Sequence, residues 1–147
     1  MATTERMLHK RADVEEVVRR YYRIVSDLSS SEEDLRAVLA PDVVIVEHPN
    51  ALVPAGAMRD LAQTLEGFSR GKALLREQEF TVHDVIVDGD RAAARATWRG
   101  VIGASVGPFH EGQELVAHVA AMLTVRDGAI VHHETFDCYE PFATASA

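Results

Sequence analysis

Two stretches of this chain place ionisable side chains on strand-like patterns. The first, VIVEHPNALVPAG at 44–56, is a β-branched run that ends on Glu47 and His48 before a loop with two prolines and a glycine. Side chains two apart on a strand share a face. Val44, Val46 and His48 therefore project together, and Val43, Ile45 and Glu47 project oppositely. His48 closes an apolar row, where loss of water lowers an imidazole's pKa unless a carboxylate holds the proton. Such a neutral imidazole takes or gives protons near physiological pH. The alternative is a strand-end histidine bonded to the backbone.

The second stretch is AIVHHETFDCY at 129–139. Here His133, Thr135 and Asp137 share one face, and His132, Glu134 and Phe136 the other. The adjacent histidines cannot serve one site together. An inward Asp137 brings His133 inward with it, and burial would raise its pKa enough for it to act as a base or to orient His48. A solvated acid, or one held on an arginine, is the alternative for Asp137.

Other side chains complete the candidate set. Tyr21 lies on the apolar side of a helix beside Tyr22, as a core tyrosine or as a hydrogen-bond donor. Trp98 follows Ala94 and Ala96 on one row, and these small residues leave room for a pocket wall. Met122 shares a row with His118 and Ala120, opposite Ala117, Val119 and Ala121, and parity alone does not say which row is inward. Phe68 ends an apolar helix face. The expected substrate contacts are Trp98, Val46, His133, Met122 and Phe68. The histidine spacings place no two ligands close together on one face, so no metal site is expected. There is no nucleophile elbow, dinucleotide fingerprint or phosphate loop. Cys138 faces away from Asp137, so a nucleophilic role for it is not expected.

The elements that position these residues read as helices first and strands afterwards. A helix is expected from Asp13 through Leu28, with Val14, Val17, Val18, Tyr21 and Val25 at helical spacing and a looser arm before it. Ser31 caps a short second helix with Leu35, Val38 and Leu39 inward, and Pro41 stops it. A strand over 42–48 follows. GAMRDLAQTLEGF at 56–68 reads as a third helix, ended by Gly67 and Gly71. From Leu75 the period becomes two, with hairpins about Asp88-Gly89-Asp90 and Arg126-Asp127-Gly128. This is an α+β pattern, a curved antiparallel sheet wrapped on N-terminal helices as a cone around a pocket, in one domain over 1–147 with a loose tail at 143–147.

Composition narrows the partners. The 147 residues carry a net charge of -8 with no basic stripe, which argues against nucleic acid. The single cysteine allows no internal disulfide, and the N-terminal residues form no apolar segment. A cytoplasmic protein with no membrane association is expected.

The order helix, short helix, strand, helix and four long strands resembles the nuclear-transport-factor-2-like superfamily of α+β cones. The ending TVRDGAIVHHETFD resembles that of its SnoaL-like polyketide-cyclase branch, and the likeness spans roughly Asp13 to Phe142. VEHPNALVPAG also resembles a segment of ketosteroid isomerases in which the residue before the first proline is the catalytic base; His48 stands there. The resemblance matches Tyr21 to the isomerases' oxyanion donor and Asp137 to the cyclases' C-terminal acid, while their second oxyanion acid falls near Ala121. It implies catalytic roles for His48, Asp137 and Tyr21, a homodimer, and a cofactor-independent cyclase or isomerase of a hydrophobic, polyketide-like small molecule. The alternatives are an epoxide hydrolase or dehydratase in the same cone, and a non-catalytic ligand-binding dimeric module. A wholly apolar pocket with His48 turned outward would favour the binder.

Overall fold

Alanine at every second position of a long strand gives a surface flat enough for a helix to approach closely. The computed structural model, which describes residues 2–144, shows this arrangement. The elements are α1 (Ala2–Ser26), α2 (Glu32–Arg36), β1 (Leu39–Glu47), β2 (Ala57–Arg59), α3 (Leu61–Leu74), β3 (Leu75–Asp88), β4 (Arg91–Ile102), β5 (Glu114–Arg126) and β6 (Ala129–Tyr139). The six strands form one curved, unclosed sheet in the order β2-β1-β6-β5-β4-β3. All neighbouring strands pair antiparallel except β1 and β6, which run parallel.

On β4 the inward row is Ala92, Ala94, Ala96, Trp98 and Gly100; on β5 it is Ala117, Val119, Ala121 and Leu123. The register sets them side by side, Ala94 opposite Ala121 and Trp98 opposite Ala117. Val14, Val18 and Tyr22 of α1 pack into the trough that these alanines leave. Further along, Ala96, Ala117 and Val119 form a second cluster with Phe80, Val82, Trp98 and Tyr139, and Ala117 and Val119 border a cavity with Phe80, Trp98 and Tyr139. The two hairpin turns form where expected. Asp127 and Gly128 both take left-handed backbone, as a two-residue turn between twisted strands requires.

Four boundaries differ from the sequence reading. Helix α2 ends at Arg36 and β1 already begins at Leu39, which pairs with Ile130, so Pro41 lies inside the strand and does not stop the helix. Helix α1 runs back to Ala2, although residues 2–13 are exposed and touch no core. Ala, Glu, Arg, Met, Leu and Lys propagate a helix by intrinsic propensity once Val14 and Val18 anchor it. The segment 57–59 forms β2 on the edge of the sheet, so α3 begins only after Asp60, which caps it through a reciprocal pair with Gln63. Gly67 and Gly71 do not end α3. Leu65 is buried and the helix continues to Leu74. Of the tail expected to be loose, residues 145–147 lie outside the described residues.

Candidate functional site

The site begins with the inward row of β1. Val43 and Ile45 are buried in the core, so Glu47, two residues further, points to the same side. The loop after it then closes back onto this carboxylate. The Asn50 side-chain oxygen accepts from the Leu52 and Val53 amides, which tightens the turn. Its amide nitrogen donates to Glu47 Oε2 at 2.8 Å and to the His48 carbonyl at 3.0 Å. Gly56 has φ of 67°, and a Cβ there would sit 2.7 Å from the Glu47 carbonyl oxygen, so a side chain would strain the closure. Strand β2 brings Arg59, whose Nη1 donates to Glu47 Oε1 at 2.8 Å. Both oxygens of Glu47 are thereby held.

Strand β6, paired with β1, supplies the adjoining wall, with His133, Thr135 and Asp137 facing inward and Tyr139 beyond them. Thr135 Oγ1 donates to Asp137 Oδ1 at 2.7 Å. Burial pushes the Asp137 carboxyl above its ordinary range; the Thr135 bond opposes this and the Glu47 charge adds to it. His133 is 4% exposed, and neither ring nitrogen has a hydrogen-bond partner. Burial, with a smaller contribution from His132, lowers its pKa to about 4, so the imidazole is neutral at physiological pH.

Helix α1 covers this wall with two tyrosines. The Tyr21 ring meets the Tyr22 ring edge-on at 5.2 Å and the His133 ring edge-on at 5.2 Å. The Tyr22 hydroxyl is buried without a partner. Burial first, and then the Asp137 charge for Tyr21 and the Tyr21 hydroxyl for Tyr22, push both phenols above their ordinary range. Tyr139 is raised by burial and by Asp137 in the same way. All three stay protonated at neutral pH and offer O–H donors. On the far wall Trp98 Nε1 donates to Gln78 Oε1 at 2.8 Å, and Gln78 Nε2 donates to the Val25 carbonyl at 2.6 Å, which fixes the indole. The cavity so enclosed has a volume of about 350 Å³. It suits a small molecule with an apolar body and a few polar groups.

The model of the SnoaL-like domain matches residues 18–133. The chain belongs to the SnoaL-like domain family. IdmH from Streptomyces antibioticus, provisionally named a polyketide cyclase, is 28% identical and aligns with 84% of this chain and 91% of its own at a TM-score of 0.70. A SnoaL-like protein from Jannaschia sp. CCS1, provisionally named in the same way, is 18% identical over 87% of each chain, with a TM-score of 0.70. An LEH-like epoxide hydrolase from M. tuberculosis is 17% identical over 88% of this chain and 84% of its own, at 0.66. These last two show the fold alone. No curated protein matches the chain.

Within this SnoaL-like domain the expected residues divide by face. Tyr21, Asp137, His133 and Trp98 line the cavity together. His48 does not. The core takes the Val43, Ile45 and Glu47 row of β1, so His48 lies on the outer face of the sheet. There its ring stacks on Phe136 at 4.3 Å, and its Nε2 sits 3.6 Å from Glu134 Oε2. Val46 goes outward with it, for the same reason of parity. Met122 is 38% exposed on the outer row of β5, because Ala121 and Leu123 fill the inner one. Phe68 packs against the core from α3, and its neighbour Gly67 is the residue that borders the cavity. The pocket is nonetheless not wholly apolar, so an outward His48 does not favour the simple binder.

Glu47, Gln78, Tyr22 and Tyr139 are among the cavity residues that the sequence reading did not assign to the site. Tyr139 was within reach, since it is two residues beyond Asp137 on one row. For Glu47 the signal lay in Val43 and Ile45, which made its row as apolar as that of His48. Nothing in the sequence marks Gln78, which stands between Glu77 and Glu79 on a strand with exposed acids. Among the described residues no helix is long and apolar enough to cross a membrane.

Proposed function

We propose that this SnoaL-like domain is a cofactor-independent enzyme that closes a ring, or shifts a double bond, in a largely apolar carbonyl compound of the polyketide kind. One observation carries the reading: a half-buried carboxyl, Asp137, lies in an aromatic-walled cavity that protonated phenols and a neutral imidazole also line. Asp137 takes a proton from the carbon next to a carbonyl. The C–H electron pair moves toward the carbonyl oxygen, which a Tyr21 or Tyr22 O–H stabilises as charge develops. The enolate carbon then attacks a second carbonyl held nearby, and Asp137 returns its proton to the resulting alkoxide. The enclosing walls hold the chain folded and exclude water, which supplies much of the rate through orientation. His48, on the outer face, takes no part. IdmH, 28% identical, is consistent with this class by its name.

The test uses a probe that needs only the first step. In D2O the protein should speed exchange of the α-hydrogens of 2-tetralone, followed by NMR, and Asp137→Asn should slow it by about 10²–10⁴-fold. An Asp137→Asn protein that exchanges as fast as wild type removes Asp137 from the mechanism. A second reading rests on Glu47, a second carboxylate held by an arginine in the same cavity, which suits the activation of a water as in a hydrolase. Conversion of styrene oxide to its diol, lost in Glu47→Gln, would favour that reading over ring closure.

A further inference from the structure

Among the described residues, Tyr22 and Phe80 alone border both the cavity and a separate surface groove. The groove lies between α1 and β3. Arg19, Arg23 and Ser26 of the helix and Glu79 and Val82 of the strand also line it, and its volume is about 340 Å³. It exists because the sheet is unclosed and no strand follows β3 at that edge. Two hydrogen bonds fix the backbone there. The Phe80 amide donates to Ser26 Oγ at 2.9 Å, and Gln78 Nε2 donates to the Val25 carbonyl at 2.6 Å. What parts cavity from groove is then a pair of rings, those of Tyr22 and Phe80, 5.3 Å apart and tilted by 53°. Tyr22 is 3% exposed and wedged edge-on against Tyr21, so it belongs to the core. Phe80 is half-buried and stands opposite Trp98 in the sheet. The cavity, at about 350 Å³, is near the lower end of the ~300–1,000 Å³ range of small-molecule sites, and loss of the partition would nearly double it.

We propose that Phe80 is a specificity-determining residue of this cavity. Its ring ends the cavity on the β3 side and confines the ligand to a compact, fused-ring body without a long substituent. A ligand with an aryl arm has to displace that ring or leave the arm in water. Without the ring, the arm enters the groove and covers Val82 and the arginine stems, which is favourable apolar burial. The groove arginines are already paired with Glu15 and Glu16, so the arm needs no charge of its own. This inference rests on the cavity being the ligand site, as the proposed function also holds, but not on the reaction carried out there.

Two ketones test this by titration calorimetry: 6-methoxy-2-tetralone, which is compact, and 6-benzyloxy-2-tetralone, which carries an aryl arm. Wild type should bind the methoxy compound about tenfold more tightly or better. Phe80→Ala, which joins cavity and groove, should shift the ratio of the two affinities toward the benzyloxy compound by about tenfold or more, and the milder Phe80→Leu by less. Val119 borders the cavity but not the groove, so Val119→Ala enlarges the cavity away from the partition. It should shift the ratio by less than about threefold. Far-UV dichroism checks that the variants fold. Equal affinity of wild type for the two ketones, a wild-type ratio in Phe80→Ala, or an equally large shift in Val119→Ala would overturn the inference. Failure of wild type to bind either ketone would overturn the proposed function with it. Discrimination between the ketones without α-hydrogen exchange would remove the reaction and leave the role of Phe80 standing.

Discussion

His133 and Asp137 are four residues apart on the same face of one strand, with Thr135 between them, and burial moves their proton equilibria in opposite directions. It disfavours the charged form of each, the cation of the histidine and the anion of the aspartate. The consequence for stability has a definite sign. The imidazole pKa falls from 6.5 unfolded to about 4 folded, so between these values the unfolded chain takes up a proton that the folded chain refuses. Stability from this group is thus present above pH 6.5 and is lost as the pH falls toward 4. Asp137 contributes with the opposite slope, since its folded form holds a proton more readily than its unfolded form. Comparison with His133→Gln isolates the histidine. Urea unfolding at pH 7.5 and pH 5.0 should show wild type losing about 2 kcal/mol more than the variant over that interval. Equal losses would mean that His133 is solvated and charges freely in the folded state.

Elements fix where such residues can act, and Gly100 shows how tightly. It faces the cavity side of β4 two residues after Trp98, and a Cβ there would lie 2.5 Å from the indole Cζ2. Gly100→Ala should push the indole off Gln78, destabilise the protein by about 1–3 kcal/mol as an overpacked core does, and red-shift Trp98 emission. Unchanged emission would mean that the indole has room to move within the wall. The same strand shows what sequence patterning can convey. The period-two row Ala94, Ala96, Trp98 identifies one face of β4, and the small residues of β5 opposite make that face the inner one. Parity also kept His133 with Asp137, and it separated Glu47 from His48 correctly. It did not tell which of those two rows of β1 is inward, because both are apolar and the choice depends on how the strand lies beside β6. On β3 parity breaks altogether: an irregularity between Val82 and Asp84 shifts the pairing, so the inward row changes from Gln78, Phe80 and Val82 to Val85 and Val87. A bulge of this kind leaves no mark in composition. Element β2 was hidden for a related reason, since an edge strand of three residues is too short for its period to register.

At the scale of the molecule the outer face of the sheet remains to be explained. Val44, Met58, Met122 and Phe136 are exposed large apolar side chains there, carried by β1, β2, β5 and β6. Their strands are contiguous in the sheet, so the four side chains belong to one face rather than to scattered points. An apolar sheet face of this kind commonly meets a partner, and a second copy offers the same surface in self-complementary form. We propose that the protein pairs through this face as a homodimer, with His48 stacked on Phe136 inside the contact. The cavity opens on the opposite side of the sheet, so pairing and ligand binding can be separated. Light scattering at micromolar concentration should give twice the mass of a 16.1 kDa chain. Phe136→Arg combined with Met122→Glu should bring charge onto the face and halve that mass, while Trp98 emission and α-hydrogen exchange per chain stay within about twofold. A monomeric wild type would refute the pairing. A variant that loses mass and cavity function together would mean instead that the outer face supports the inner one, and that the two sides of the sheet are not independent.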